Sequence, residues 1–281
     1  MTSRGHDPIA IALAEDIGDG DITSVTFVPE HLRASARVLA REKGIIAGTS
    51  VATKVFRRVD KDLQIAVLRK DGEELAPGDI VMEIKGKARS LLTAERVALN
   101  FLQRLSGIAT LTHQFVQAAA NSRVKIIDTR KTTPGLRQFE KAAVLAGGGK
   151  NHRFGLYDMV LVKDNHLAMT PGVSGLAQKI REIREAHPKM KIELEADNLE
   201  QVRAFMEVPG VDIILLDNMT PALLREAVAM RNNHIKFEAS GGINLKNVRR
   251  VAATGVDYIS VGALTHSAQA IDFSLEMTHG E

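Results

Sequence analysis

The chain has 281 residues, 44% of them hydrophobic and 25% charged, an ordinary globular balance that excludes a disordered polymer. Its 37 Lys and Arg against 34 Asp and Glu leave a formal charge of only +3, too little for a nucleic-acid coat, so any ligand recognition must come from local clustering. The absence of cysteine removes disulfides, thiolate metal sites and cysteine nucleophiles together.

The opening stretch, Met1 to Asp16, has no apolar segment long enough for a signal peptide. Nowhere is there an uninterrupted apolar run of membrane-spanning length, which predicts a cytoplasmic protein. The length suits one barrel-sized body with a smaller appendage. Up to about residue 90 strands predominate. Arg33 to Arg41 alternates small or apolar with polar residues, and Leu63 to Leu68 precedes a turn. Leu75-Ala-Pro-Gly-Asp-Ile-Val-Met-Glu-Ile reads as a turn followed by an alternating strand. Its Pro-Gly hairpin has a superficial likeness to lipoyl or biotinyl carrier modules, which nothing else supports. From Thr93 to about Ala120 the pattern turns helical, with Val97, Leu99, Leu102 and Leu105 on an apolar face and an expected break at Ser106-Gly107.

After Asn121 short apolar runs alternate with helix-length segments: Val124 to Ile127, Met159 to Val162, Ile192 to Leu194, Ile213 to Leu216, Ile235 to Phe237 and Tyr258 to Val261. This predicts a parallel sheet covered by helices. Polar or glycine residues end every run: Asp128-Thr-Arg-Lys, Lys163-Asp-Asn-His, Glu195-Ala-Asp, Asp217-Asn, Ser240-Gly-Gly and Gly262-Ala. The last four recur at a nearly constant interval, one βα unit per step. In a (β/α) barrel all strand C-termini open on one face, where such residues converge. No glycine-rich dinucleotide fingerprint follows a first strand, which favours a barrel over a doubly wound sheet. Six runs instead of eight predict an open, incomplete α/β barrel beside a smaller α+β N-terminal domain.

The early strand ends and the loop between them are basic, with Arg130, Lys131, Lys150, His152, Arg153 and Lys163, and suit a ligand with several negative charges. Glu195 and Asp217 add carboxylates that hold Mg2+ or accept hydrogen bonds from sugar hydroxyls. Ser240-Gly-Gly and Gly262 lie where barrels bind phosphate through backbone N–H groups. Each of these residues also has a plainer role open to it, as a solvated charge, a helix cap or an ion-pair partner. The Gly147-Gly-Gly run either joins the site or terminates the helical stretch that begins near Gly135. Of the histidines, His152 is the candidate, since it lies among the cations, whereas His166 and His266 lack metal-pair spacing.

The motifs Glu15-Asp-Ile-Gly-Asp-Gly-Asp-Ile-Thr, Ala94-Glu-Arg-Val-Ala-Leu-Asn-Phe, Ser106-Gly-Ile-Ala-Thr and Asp128-Thr-Arg-Lys-Thr-Thr-Pro-Gly occur in this order. They are followed by Gly147-Gly-Gly-Lys-Asn-His-Arg, Lys163-Asp-Asn-His, Leu215-Leu-Asp-Asn, Ser240-Gly-Gly and Ser260-Val-Gly-Ala-Leu-Thr-His-Ser. With these the chain resembles the quinolinate phosphoribosyltransferases over nearly its whole length. The resemblance implies an N-terminal domain over 1–110, joined by a C-terminal helix at about 267–281, and an open barrel over 111–266. It implies phosphoribosyl transfer from phosphoribosyl pyrophosphate to quinolinate with loss of CO2, aided by Mg2+. It further implies a homodimer with shared active sites, in which Arg96 reaches the partner's quinolinate. The residues alone place Arg96 at an exposed position in the first turn of a helix. By the same resemblance Arg130, His152 and Arg153 contact the quinolinate carboxylates, and Lys131 and Lys163 stand between the diacid and the phosphoribosyl group. Glu195 and Asp217 face the ribose and Mg2+-pyrophosphate, with any metal contact indirect. Ser240, Gly241 and Gly262 cradle the 5′-phosphate. The rival readings are transfer to another pyridine, such as nicotinate, and a barrel that only senses a phosphorylated ligand. The paired carboxylates argue against the sensor.

Overall fold

The computed structural model describes residues 7–120, 123–169, 172–231 and 234–279, so residues 1–6 of the opening stretch and 280–281 of the expected C-terminal helix lie outside the described residues. The chain begins with α1 (Pro8–Ile17), α2 (Ile22–Phe27), β1 (Arg33–Ala40), β2 (Gly44–Ile45), α3 (Thr49–Val59), β3 (Gln64–Val67) and β4 (Glu74–Leu75). It continues through β5 (Ile80–Lys87), α4 (Ala88–Ala119), β6 (Lys125–Ile127), α5 (Arg137–Ala146), β7 (Val160–Val162), α6 (Asp164–Ala168) and α7 (Gly172–Ala186). The last part holds β8 (Ile192–Ala196), α8 (Leu199–Met206), β9 (Ile213–Asp217), α9 (Pro221–Ala229), β10 (Lys236–Ser240), α10 (Val248–Ala252), β11 (Tyr258–Ser260), α11 (Ala263–His266) and β12 (Phe273–His279).

Two compact units result. The first joins Met1–His113, Thr132–Gly148 and Thr265–Glu281; the second joins Gln114–Lys131 and Gly149–Leu264. The chain therefore passes between units inside α4, and α5 belongs with the first.

In the first unit an antiparallel sheet runs in the order β12-β1-β5-β3. β1 buries Ala34, Ala36, Val38 and Ala40 at alternate positions, the period-2 pattern of a strand with one covered face. Val38 lies opposite Met82 on β5, and the register shifts between Val38 and Leu39, a local irregularity next to the central pairing. The helices carry their own start signals. Asp7 caps α1 by accepting from the amides of Ile9 and Ala10, with Pro8 at the first helical position. Asp21 caps α2 through Ser24 and also accepts from the Thr93 hydroxyl at 2.9 Å, which gives part of the Glu15–Thr23 motif a structural purpose.

Two sequence expectations are corrected here. The expected C-terminal helix is instead β12, antiparallel to β1 with Val38 opposite Leu275. Its apolar residues, Phe273, Leu275 and Met277, recur every second position, which suits a strand and not a helix. The expected break at Ser106-Gly107 is absent, and α4 runs unbroken for 32 residues. Ser106 donates to the Ala47 carbonyl and accepts from the Ala47 amide, so its hydroxyl ties α4 to the segment after β2. Gly107 is there for closeness: a Cβ would lie 1.9 Å from the Gln269 carbonyl oxygen. Gly107→Val is accordingly expected to destabilise the protein by about 3 kcal/mol, the upper end of ordinary overpacking, because the obstructing atom is backbone. Thermal unfolding of the variant checks this.

In the second unit six parallel strands run in the order β6-β11-β10-β9-β8-β7, joined by helical crossovers. β6 and β7 follow one another in sequence yet stand at opposite ends of this order, which is an open α/β barrel instead of a closed one. Lys150 lies beside Ile127 as an isolated parallel bridge along β6. Ile192, Leu194, Ile214, Leu216, Phe237 and Ala239 are buried on one face of the sheet. The alternate positions are Glu193, Glu195, Leu215, Asp217, Glu238 and Ser240, so the other face carries polar chemistry toward the strand C-termini. At the opposite ends Asp212 accepts from the Ile192 amide and pairs with Arg184 and Lys191. Asp257 does the same for Phe237, Arg231 and Lys236, and these repeated anchors are structural charges far along the strands from the chemistry.

Candidate active site

Parallel strands put all their C-termini at one edge of the sheet, and that edge collects the candidate residues. Lys163 follows β7 and its Nζ stands 3.4 Å from Oε2 of Glu195 on neighbouring β8. The lysine is half exposed and Glu195 is nearly buried, so a mobile cation covers a fixed carboxylate. Asp217 ends β9, and its Oδ2 accepts from Nδ2 of Asn218 at 2.6 Å. Asn218 has a left-handed backbone (φ 53) and its amide donates to the Ser240 carbonyl at 2.9 Å, tying the ends of β9 and β10 together.

Gly241 has φ +92, and a Cβ there would lie 2.1 Å from Oδ1 of Asn218. Gly241 is thus demanded by the turn and by the Asn218 side chain, independently of any ligand. Gly262 follows β11, where the preceding Val261 amide donates to the Ile127 carbonyl. Arg130 and Lys131 follow β6, the first half-buried and the second exposed. Burial, and next the like charge of Arg130, pull the Arg153 guanidinium below its usual range.

Inside this rim lies a buried cluster. His152 Nε2 stands 3.0 Å from Oε2 of Glu193 and 3.5 Å from Oε2 of Glu238. Glu193 is 0% exposed and Glu238 1%. The His152 amide donates to Oδ1 of buried Asp128 at 2.8 Å, and the Arg153 amide donates to His152 Nδ1 at 2.7 Å. Because Nδ1 accepts, the ring proton sits on Nε2 and points to the carboxylates. Burial, followed by the charge of Glu238, pushes Glu193 up to about 7. Burial alone would lower His152, but its hydrogen bond to Glu193 and the negative charge of Glu238 close by outweigh that and raise it. The ring Nε2 therefore faces two buried carboxylates, the nearer of them hydrogen-bonded to it.

Arg96 is the one candidate in the first unit, exposed on α4. Since α4 starts at Ala88, Arg96 stands beyond its first turn, a correction to the expected placement. Lys150 is exposed beside β6, His166 accepts from the Lys163 amide at 3.0 Å, and His266 pairs with Ser267. Gly147 caps α5, so the glycine run does end that helix. Sequence reasoning missed Glu193, Glu238, Asp128 and Asn218. The signal for the first two was present: an acid in the middle of an apolar strand, as in Ile-Glu-Leu-Glu-Ala and Lys-Phe-Glu-Ala-Ser, is dear to bury and needs a partner.

Among the described residues no helix is long and apolar enough to cross a membrane. Residues 21–106 match the family model for the quinolinate phosphoribosyl transferase N-terminal domain, and 108–276 match that for the C-terminal domain. The chain is 44% identical over 264 residues to a probable nicotinate-nucleotide pyrophosphorylase (carboxylating) of Bacillus subtilis, covering 94% of this chain and 90% of that one. It is 41% identical over 285 residues to the chloroplastic nicotinate-nucleotide pyrophosphorylase (carboxylating) of Arabidopsis thaliana, covering 96% and 81%. The solved structure of NadC from Streptococcus pyogenes superposes with a TM-score of 0.91 at 41% identity, covering 97% and 96%. With both family models spanning most of its length, and a full-length fold to match, this chain belongs to the quinolinate phosphoribosyltransferase family.

Proposed function

We propose that this chain transfers the phosphoribosyl group of phosphoribosyl pyrophosphate to quinolinate with decarboxylation, giving nicotinate mononucleotide, pyrophosphate and CO2. The observation that carries the reading is the convergence of opposite charges at one sheet edge. Lys163 meets Glu195 there, Arg130 stands near Arg153, and Asp217 interlocks with Asn218, Ser240 and Gly241. One end suits a diacid and the other a phosphorylated sugar.

In this reading Arg130, Arg153 and His152 face the quinolinate carboxylates, and Lys131 and Lys163 stand where the two substrates meet. Glu195 and Asp217 face the ribose hydroxyls, and Ser240, Gly241 and Gly262 present backbone amides to the 5′-phosphate. As pyrophosphate departs, the ribose gains positive character that the carboxylates stabilise, while the lysines stabilise the leaving anion. The pyridine nitrogen attacks the anomeric carbon. Once quaternary, that nitrogen stabilises the electron pair left on the adjacent carbon as the 2-carboxylate departs as CO2, and that carbon then takes up a proton from solvent. The protein supplies mainly placement and electrostatics.

Mg2+ belongs to the same reading. Glu195 and Asp217, on neighbouring strands, offer the hard carboxylate oxygens that Mg2+ takes. Lys163 already compensates Glu195, which favours contact with the metal through water or pyrophosphate. When bound, Mg2+ neutralises charge on the departing pyrophosphate. A cytoplasmic homodimer, with the exposed Arg96 completing the partner's site, completes the proposal.

The test is the release of CO2 from carboxyl-labelled quinolinate. Release dependent on phosphoribosyl pyrophosphate supports the assignment; turnover of nicotinate in place of quinolinate defeats it.

A further inference from the structure

The chemistry above assigns no task to Glu193 and Glu238, and only a ligand contact to His152, yet the two acids are 0% and 1% exposed and meet at one imidazole. Filling space does not account for the acids. On β9, which stands between their strands, Glu193 has Ile213 as its register partner and Glu238 has Leu215, both apolar and the second buried, so the interior accepts leucine beside Glu238. Carboxylates there are retained against a desolvation cost that only a specific partner offsets.

The partner is the His152 ring. Its two nitrogens are used in opposite senses: Nδ1 accepts the Arg153 amide at 2.7 Å, and Nε2–H points to Glu193 at 3.0 Å with Glu238 behind it at 3.5 Å. Asp128, fully buried at the end of β6, holds the His152 amide at 2.8 Å. Three strands of the sheet thus fix one residue, and that residue fixes the next peptide. Arg153 carries a guanidinium that feels the like charge of Arg130 and donates to the Met159 carbonyl at 3.3 Å.

We infer that Glu193 and Glu238 are positioning residues for the diacid-binding end of the site: they orient His152 through its Nε2–H, and the 152–153 peptide so held presents the Arg153 guanidinium beside Arg130. The inference rests on the proposed quinolinate reaction. The cluster also has the composition of a cation site, since one donor atom from each residue lies within 4.8 Å of the others. A metal ion there needs the Nε2 lone pair, whereas an Nδ1 that accepts the Arg153 amide leaves the proton on Nε2. The hydrogen-bonding role follows from the geometry and the ligating role does not.

Steady-state kinetics of the full-length enzyme, varying quinolinate and phosphoribosyl pyrophosphate in turn, test this with Glu193→Gln, Glu238→Gln and Glu193→Leu. The expected result is a rise of about tenfold or more in the KM for quinolinate, with the KM for phosphoribosyl pyrophosphate within about twofold of wild type. Glutamine keeps an oxygen for Nε2–H, so Glu193→Gln is expected to lie between wild type and Glu193→Leu. Unchanged quinolinate KM, or both KM values rising together, overturns the inference. A second measurement requires no acid variant to fold: 15N-histidine NMR of the wild-type enzyme, with His152 assigned by its loss in His152→Gln. A protonated Nε2 with a bare Nδ1 supports the inference; a bare Nε2, or a ring protonated at both nitrogens and so unable to accept the Arg153 amide, overturns it. Wild-type enzyme that releases no CO2 from quinolinate would defeat the proposed function instead, and leave the NMR result standing.

Discussion

Lys163→Ala is expected to slow quinolinate-dependent CO2 release by a factor of about 10²–10³, equivalent to roughly 2.7–4 kcal/mol in the barrier, with little change in melting temperature. The magnitude is that of removing one preorganised group that stabilises charge developing in the transition state. The stability expectation follows from exposure. The Lys163 side chain is 48% exposed and its ion pair with Glu195 spans 3.4 Å, so the pair contributes only about 0–1 kcal/mol to folding. A large kinetic loss without a thermal one marks a residue that serves the reaction. Lys131→Ala, at an exposed position after β6, is expected to behave alike, with a loss of at least about a hundredfold. Single-turnover and melting measurements on the same preparations check both halves. Near-normal turnover in either variant removes that lysine from the mechanism.

Arg104→Ala is expected to do the reverse and cost stability first, by about 3–5 kcal/mol. Glu140 is 0% exposed in the first unit, and Arg104 reaches it through Nε at 3.0 Å and Nη2 at 2.7 Å. The same Nη2 also donates to the Thr133 hydroxyl and the Thr265 carbonyl, while the other Glu140 oxygen accepts the Thr133 amide. One guanidinium thus joins α4, the segment before α5, and the start of the C-terminal segment. Removing it leaves a buried carboxylate without its cation, which is far more costly than losing an exposed pair. Denaturant unfolding measures the loss. Arg104→Ala combined with Glu140→Leu, which removes the stranded charge, is expected to recover part of it. A double variant no more stable than the single one would mean that the hydrogen bonds to Thr133 and Thr265 dominate.

The contrast between these lysine and arginine variants bears on what charge means in a chain with a formal excess of only +3. Arg184, Lys191, Arg231 and Lys236 all pair with Asp212 or Asp257 at the start of strands, and none enters the proposed chemistry. Lys163 has an equally ordinary composition and differs only in standing at the C-terminal end of its strand. Position along a parallel strand separates the two classes.

That distinction is written in the sequence. Each of the six apolar runs after Asn121 is a strand, and the residues read from their ends do stand at one sheet edge, because a strand's period and the polar residue that stops it are local properties of the chain. The family motifs, local as well, carried the activity. Pairing at a distance was another matter. Whether Phe273–His279 coils or extends is decided by β1, more than two hundred residues earlier, whose free edge it covers. Gly107 reads as a helix breaker until the Gln269 carbonyl is brought against it. Glu193, Glu238 and His152 lie on separate segments, and nothing in their spacing states that two buried acids share one imidazole. Sequence alone specified elements and chemistry through short-range periodicity; only the closed tertiary packing decided which buried polar groups meet, since the cost of burying them is met by partners the chain supplies from far away.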